Sequence, residues 1–138
     1  MYHLSPQHGI VPCIHVVFQQ VSTLPPGQTV VYINNSTPGG LRKALAESQE
    51  PWVKDAERMK AFHYERVTSL TSVLEVLDQN HDLVIIEQLD RIVQEPTDLD
   101  YKMQNRLLAE ILRRAHQGIF IDDWNYLRRY YVLEDLGT

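Results

Sequence analysis

The sequence predicts a single α/β domain, in which a mostly parallel central sheet is flanked by helices. Two observations carry this. Short apolar runs, Thr29-Val30-Val31-Tyr32-Ile33, Leu83-Val84-Ile85-Ile86 and Ile119-Phe120-Ile121, read as buried strands from their β-branched and aromatic content. Between them, apolar residues return at helical spacing from Ile10 to Leu24, from Leu70 to Leu77, and from Leu99 to about His116. Strands alternating with helices at such intervals pair in parallel and are covered on both faces.

Length and composition bound the rest. A chain of 138 residues supports one domain, residues 1–138, and buries roughly two-thirds of its unfolded surface. Hydrophobic residues at 43% and charged residues at 22% fit a globular protein and not a disordered one. A formal charge of −5 argues against indiscriminate nucleic-acid binding but leaves room for a local basic patch. The single cysteine, Cys13, excludes an internal disulfide and fits a reducing compartment. No apolar run approaches the ~20 residues needed to cross a bilayer. Met1-Tyr2-His3-Leu4 does not read as a signal peptide. The expectation is a soluble, intracellular protein with no membrane segment. Internal repeats and low-complexity tracts are absent.

In chain order, Leu4-Ser5-Pro6-Gln7-His8-Gly9-Ile10-Val11 opens the first helix as the GxxxxGK[ST] loop of an ATPase does, but only Gly9 of that pattern is present. Leu4 stands at the first glycine, Ile10 at the phosphate-gripping lysine and Val11 at the magnesium-binding hydroxyl. The helix carries Ile10, Ile14, Val17, Phe18 and Val21 on one face. Pro12 is tolerated in its first turn, and Pro25-Pro26-Gly27 stops it. After the strand at Thr29–Ile33, Asn34 to Gly40 reads as a loop and Leu41 to Glu47 as a short helix. The stretch Glu50 to Lys60 reads as irregular or helical, and Ala61 to Tyr64 as a short strand. Leu70, Val73, Leu74 and Leu77 form the next helical stripe, broken at Asn80-His81-Asp82 before the strand Leu83–Ile86. Beyond Pro96 a long amphipathic helix runs through Leu99, Met103, Leu107, Leu108, Ile111 and Leu112, and Gly118 ends it. The tail from Trp124 to Leu136 is rich in aromatics and arginine and fits helix or strand.

Taken in order, these segments resemble the ATPase core of the eukaryotic RecA-type recombinases and their paralogues. Pro26 to Asn34 looks like the family's second strand, which ends in a Tyr-Ile-Asp-type motif. Phe62-His63-Tyr64-Glu65-Arg66-Val67 looks like its third strand, and His81 to Glu87 like its Walker B strand. The resemblance covers nearly the whole chain, and its specificity lies in the order and spacing of motifs that are individually weak. It implies a degenerate RecA-like core, a truncated single domain in which Met1 to Leu4 are a stub of the first strand and the family's amino-terminal DNA-handling domain is absent. The departures fall where ATP chemistry needs the family's residues. Phosphoryl transfer needs a lysine on the β/γ-phosphates and a hydroxyl on magnesium, and Ile10 and Val11 supply neither. Ser36 stands where recombinases carry the water-activating carboxylate, and Glu87 stands at the Walker B aspartate. The expectation is therefore no ATPase activity and no cofactor.

Other candidate sites carry less. Cys13 and His15, with His8 nearby, suggest a metal, but a spacing of two faces them apart on a helix, so packing is the better reading. Asp122 and Asp123 follow a strand, where α/β enzymes place catalytic acids, although Asp123 before Trp124 also suits a helix cap. Arg113 and Arg114 read as surface charge complementing a helix dipole. In the tail, Trp124, Tyr126, Tyr130 and Tyr131 interleave with Arg128 and Arg129. The resemblance puts this segment where a recombinase strand leads into a DNA-contacting loop, and arginine with aromatic rings suits single strands. The alternative is a closing element in which Trp124 and Leu127 pack.

The resemblance thus implies a non-catalytic recombinase paralogue, similar to a small subunit of the Shu complex. Such a protein acts in the nucleus with another recombinase paralogue or a zinc-binding subunit as a heteromer, and reaches DNA through the complex. Two alternatives stand beside it: a RecA-like scaffold of another assembly, such as the Elongator subcomplex that engages transfer RNA, and a small α/β enzyme using Asp122 or Asp123.

Overall fold

The computed structural model describes residues 2–123 together with 125 and 127. Five strands form one sheet: β1 (Tyr2–Leu4), β2 (Val30–Asn34), β3 (Phe62–Arg66), β4 (Leu83–Glu87) and β5 (Ile119–Ile121), in the order β1-β5-β4-β2-β3. Every pairing is parallel, so all carboxyl ends lie along one edge of the molecule. The connections are α1 (Ile10–Val21), α2 (Gly39–Glu47), a 3-10 turn at Pro51–Lys54, α3 (Ala56–Lys60), α4 (Leu70–Leu77), α5 (Leu89–Val93) and α6 (Tyr101–Arg114). The α/β class with a parallel sheet and flanking helices is thus as expected from the alternation of strand and helix signals.

Side chains alternate across the sheet and give it two cores. Val31, Ile33, Ile86 and Phe120 point to the side covered by α4, α5 and α6, where Val73, Ile92, Leu108 and Ile111 meet them. Val30, Tyr32, Ile85, Ile119 and Ile121 point to the side covered by α1 and α2, where Ile14, Val17, Phe18 and Leu41 pack. Trp52 closes this second core. Its indole N–H donates to the Phe18 carbonyl at 3.0 Å, and its ring meets Phe18 and Phe62. The segment from Glu50 to Lys60 is therefore structured by one buried tryptophan in a 3-10 turn and a short helix.

Several boundaries differ from the expectation. Helix α1 ends at Val21 and not at Leu24, because Thr23 and Leu24 donate to carbonyls three residues back and tighten the last turn into 3-10 winding. Strand β3 runs through Arg66 in register with Asn34, two residues past Tyr64. Leu99 and Met103 were expected on the apolar face of the long helix but are 40% and 41% exposed. The helix starts later, at Tyr101, where the Asp100 carboxylate accepts from the Met103 N–H at 2.7 Å. Its buried stripe is Asn105, Leu108, Ile111 and Leu112. The five-residue α5 was not foreseen at all.

Candidate functional site

The chain leaves β2 toward α2 on one face of the sheet, and leaves the neighbouring β4 toward α5 and α6 on the other. Such a reversal opens a crevice at the carboxyl ends of parallel strands, where α/β proteins hold ligands. Along this edge lie three groups of residues, which include the sequence candidates Leu4, Gly9, Ile10, Val11, Ser36, Glu87, Asp122 and Asp123.

The first group is the β1–α1 loop. Leu4 pairs with Ile121 and packs against the core beneath α1. Gly9 takes φ +99°, a conformation that favours glycine, and its N–H closes a turn on the Pro6 carbonyl at 3.1 Å. Ile10 and Val11 turn toward the α1–α2 core. Ile10 lies so close to α2 that a β-carbon on Gly40 would come within 3.4 Å of its Cγ2. Two residues on, the Cys13 thiol reaches back to the Ser5 carbonyl at 3.4 Å, and burial pushes its pKa up. The start of α1 could still offer backbone N–H groups to an anion, but Pro12 removes one of them.

The second group is a buried network across the ends of β2, β3 and β4. Glu87 is 5% exposed and accepts from the Tyr32 hydroxyl and from the Asn34 amide, the latter at 3.2 Å. Asn34 in turn accepts from the Tyr64 hydroxyl at 2.6 Å and from the Ser36 N–H at 3.3 Å. The single Tyr64 hydroxyl proton is shared between the Asn34 oxygen and the Ser36 carbonyl, which lies at 2.9 Å. Among the described residues no lysine or arginine makes an ion pair with Glu87. Burial, reinforced by the Glu87 charge and hydrogen bond, holds Tyr32 protonated far above the ordinary phenol range. Ser36 contributes its backbone to this network.

The third group surrounds Asp122. Its carboxylate is buried at 2% exposure, with Oδ1 at 3.2 Å from His3 Nδ1. Burial raises the Asp122 pKa, and the His3 contact partly offsets this. His3 stacks on Phe120 with ring centroids 5.1 Å apart, and its Nε2 is shut off from solvent. A base that serves an incoming substrate needs access to it. Asp123 is exposed, and its Oδ1 accepts from the Asn125 N–H at 3.1 Å, the bond a cap makes. Asp90, on α5, has its pKa raised by burial first and then by the Asp122 charge. A cleft of about 560 Å3 opens here between residues 5–7 and Asp122, Asp123 and Asn125, with His3 also on its wall.

The remaining candidates disperse. Cys13 faces the core while His15, half-exposed, meets Glu47 at 3.3 Å. Among the described residues no group of three or more histidine, cysteine, aspartate or glutamate side chains is arranged to hold a metal. Arg113 and Arg114 lie in the last turn of α6 and pair with Glu110 and Asp78. Trp124, Tyr126, Arg128, Arg129, Tyr130 and Tyr131 lie outside the described residues. Sequence reasoning missed Tyr32, Asn34, Tyr64, His3 and Asp90. The available signal was polar residues closing apolar strands, as in Tyr32-Ile33-Asn34.

No helix among the described residues is long and apolar enough to cross a membrane. No protein-family model matches the chain, and no curated protein is significantly similar to it.

Proposed function

We propose that this protein is a non-catalytic RecA-like subunit, a recombinase paralogue that pairs with another RecA-like or zinc-binding protein to support homologous recombination. The observation that carries the reading is the state of the two groups where nucleotide chemistry would sit. Ile10 and Val11 pack against the apolar core on this face of the sheet where a lysine and a hydroxyl would be needed, and Glu87 is committed to Tyr32 and Asn34. Each lost charge-assisted contact to a phosphate or its magnesium forfeits about 1.5–3 kcal/mol. Pairing is supported by the short edge strand β1, with Tyr2 48% exposed, and by exposed Leu99, Tyr101 and Met103 near the start of α6.

Calorimetric titration with Mg-ATP should give no heat, and a micromolar dissociation constant would sink the reading. Expressed alone, the chain should oligomerise or aggregate more readily than it stays monomeric, whereas a partner should give a stable heteromer. Co-purification from its native cell identifies the assembly. Recombination proteins support this reading, and transfer-RNA modification proteins point instead to an Elongator-like scaffold. A small α/β enzyme is the reading favoured by the His3–Asp122 pair at a strand end, but the His3 Nε2, the atom that would serve as base, is shut off from solvent, which weighs against it.

A further inference from the structure

The cleft at Asp122 contains an unmet acceptor. Asp122 is 2% exposed, and His3 occupies only Oδ1; Oδ2 is buried with no hydrogen-bond partner. A buried carboxylate oxygen without a donor is costly, and its neighbours add to that cost. Asp123 lines the same cleft, and Asp90, close enough for the Asp122 charge to raise its pKa, also has a buried oxygen, Oδ1, with no partner. Among the described residues no lysine or arginine lines the cleft. Its chemistry is thus the reverse of a phosphate site, although residues 5–7 of the loop after β1 form one wall.

What relieves such a site must carry positive charge and several N–H donors. A bound metal fits poorly, since the described side chains form no ligand cluster. A guanidinium fits well. It is flat, always charged and less strongly hydrated than an ammonium, and its fork of donors matches carboxylates. Ser5 and Gln7 supply further oxygen acceptors on the opposite wall.

We infer that this cleft binds the guanidinium of an arginine side chain presented by a partner protein, with Asp122 as the buried acceptor and Asp123 as the exposed one. The inference rests on charge complementarity at this edge and does not depend on which assembly the chain joins.

The test uses the full chain and N-acetyl-arginine amide, observed by saturation-transfer NMR on the small molecule, which tolerates oligomers. Saturable binding is expected, with none for the neutral isostere N-acetyl-citrulline amide. Asp122→Asn should weaken it by about tenfold or more, as loss of a charged hydrogen-bond acceptor does. Asp123→Asn, at an exposed position with less bearing on folding, should weaken it by a smaller factor and decides the matter if the first variant does not fold. Equal binding of the citrulline probe, unchanged affinity in the variants, or displacement of the arginine probe by low concentrations of Mg2+ would each overturn the assignment.

Discussion

Glu87 lies at the end of β4 with 5% of its surface exposed, and its two oxygens are met by the Tyr32 hydroxyl and the Asn34 amide. A carboxylate in that position keeps its place only while both donors are there. Tyr32→Phe removes one donor without changing the ring packing, so it should cost about 1–3 kcal/mol in urea unfolding with an unchanged slope. Tyr64→Phe should cost less, because Tyr64 is half-exposed and water can replace its hydroxyl. Equal costs would mean that the Glu87 contact is not what holds Tyr32. Asp90 gives a pH-dependent counterpart. Its pKa in the folded protein is raised above the ordinary 3.8, chiefly by burial. The folded state therefore binds its proton more tightly than the unfolded state, and stability falls as pH rises from 3.8 through the raised value. Asp90→Asn should remove this fall, so the variant gains on the wild type across that window and holds a constant advantage above it. Parallel stability profiles for the two proteins would refute this.

The corner between α6 and β5 sets the position of the central strand pair. A β-carbon on Gly118 would stand 2.9 Å from the Val84 carbonyl and 3.0 Å from that of Ala115. Both are backbone atoms, so Gly118→Ala must push the end of α6 away from β4. We expect a loss of about 1–3 kcal/mol, as for other overpacked sites, together with a lower thermal midpoint. A neutral effect would show that this corner opens freely. The corner matters because β5 enters the sheet between β1 and β4, which the sequence could not foretell. Strands β2, β4 and β5 were legible as unbroken apolar runs, and α1 and α4 as periodic stripes. Pairing was not legible, since nothing in Ile119-Phe120-Ile121 says that it will join β1 to β4. The candidate site divides the same way. The altered positions Ile10 and Val11 could be read one by one, whereas the Tyr32–Asn34–Glu87–Tyr64 network exists only once β2 lies between β4 and β3. The Asp122 charge reaches Asp90 because Gln88, in the left-handed region at φ 60°, turns the chain sharply after β4 while its N–H bonds the Ile121 carbonyl at 2.6 Å. A lone non-glycine residue in that conformation leaves no mark in the sequence.

For the molecule as a whole, charge decides how it can approach DNA. The net charge is −5, and the carboxyl edge of the sheet holds Asp90, Asp122 and Asp123. That edge repels phosphates, so any contact with DNA has to come from a segment carrying its own cations. Arg128 and Arg129, set among Trp124, Tyr126, Tyr130 and Tyr131, are the clearest such segment in the sequence. The isolated chain is acidic, so the experiment belongs to the heteromer proposed above, once assembled. Each arginine on a phosphate releases about one counterion, which steepens the fall of affinity with salt. Replacing both Arg128 and Arg129 with alanine should weaken single-stranded DNA binding and reduce the salt slope by up to about two units. Assembly with the partner should be unaffected if the arginines act on DNA alone. An unchanged slope in a correctly assembled variant would return the tail to packing and leave the DNA surface to the partner.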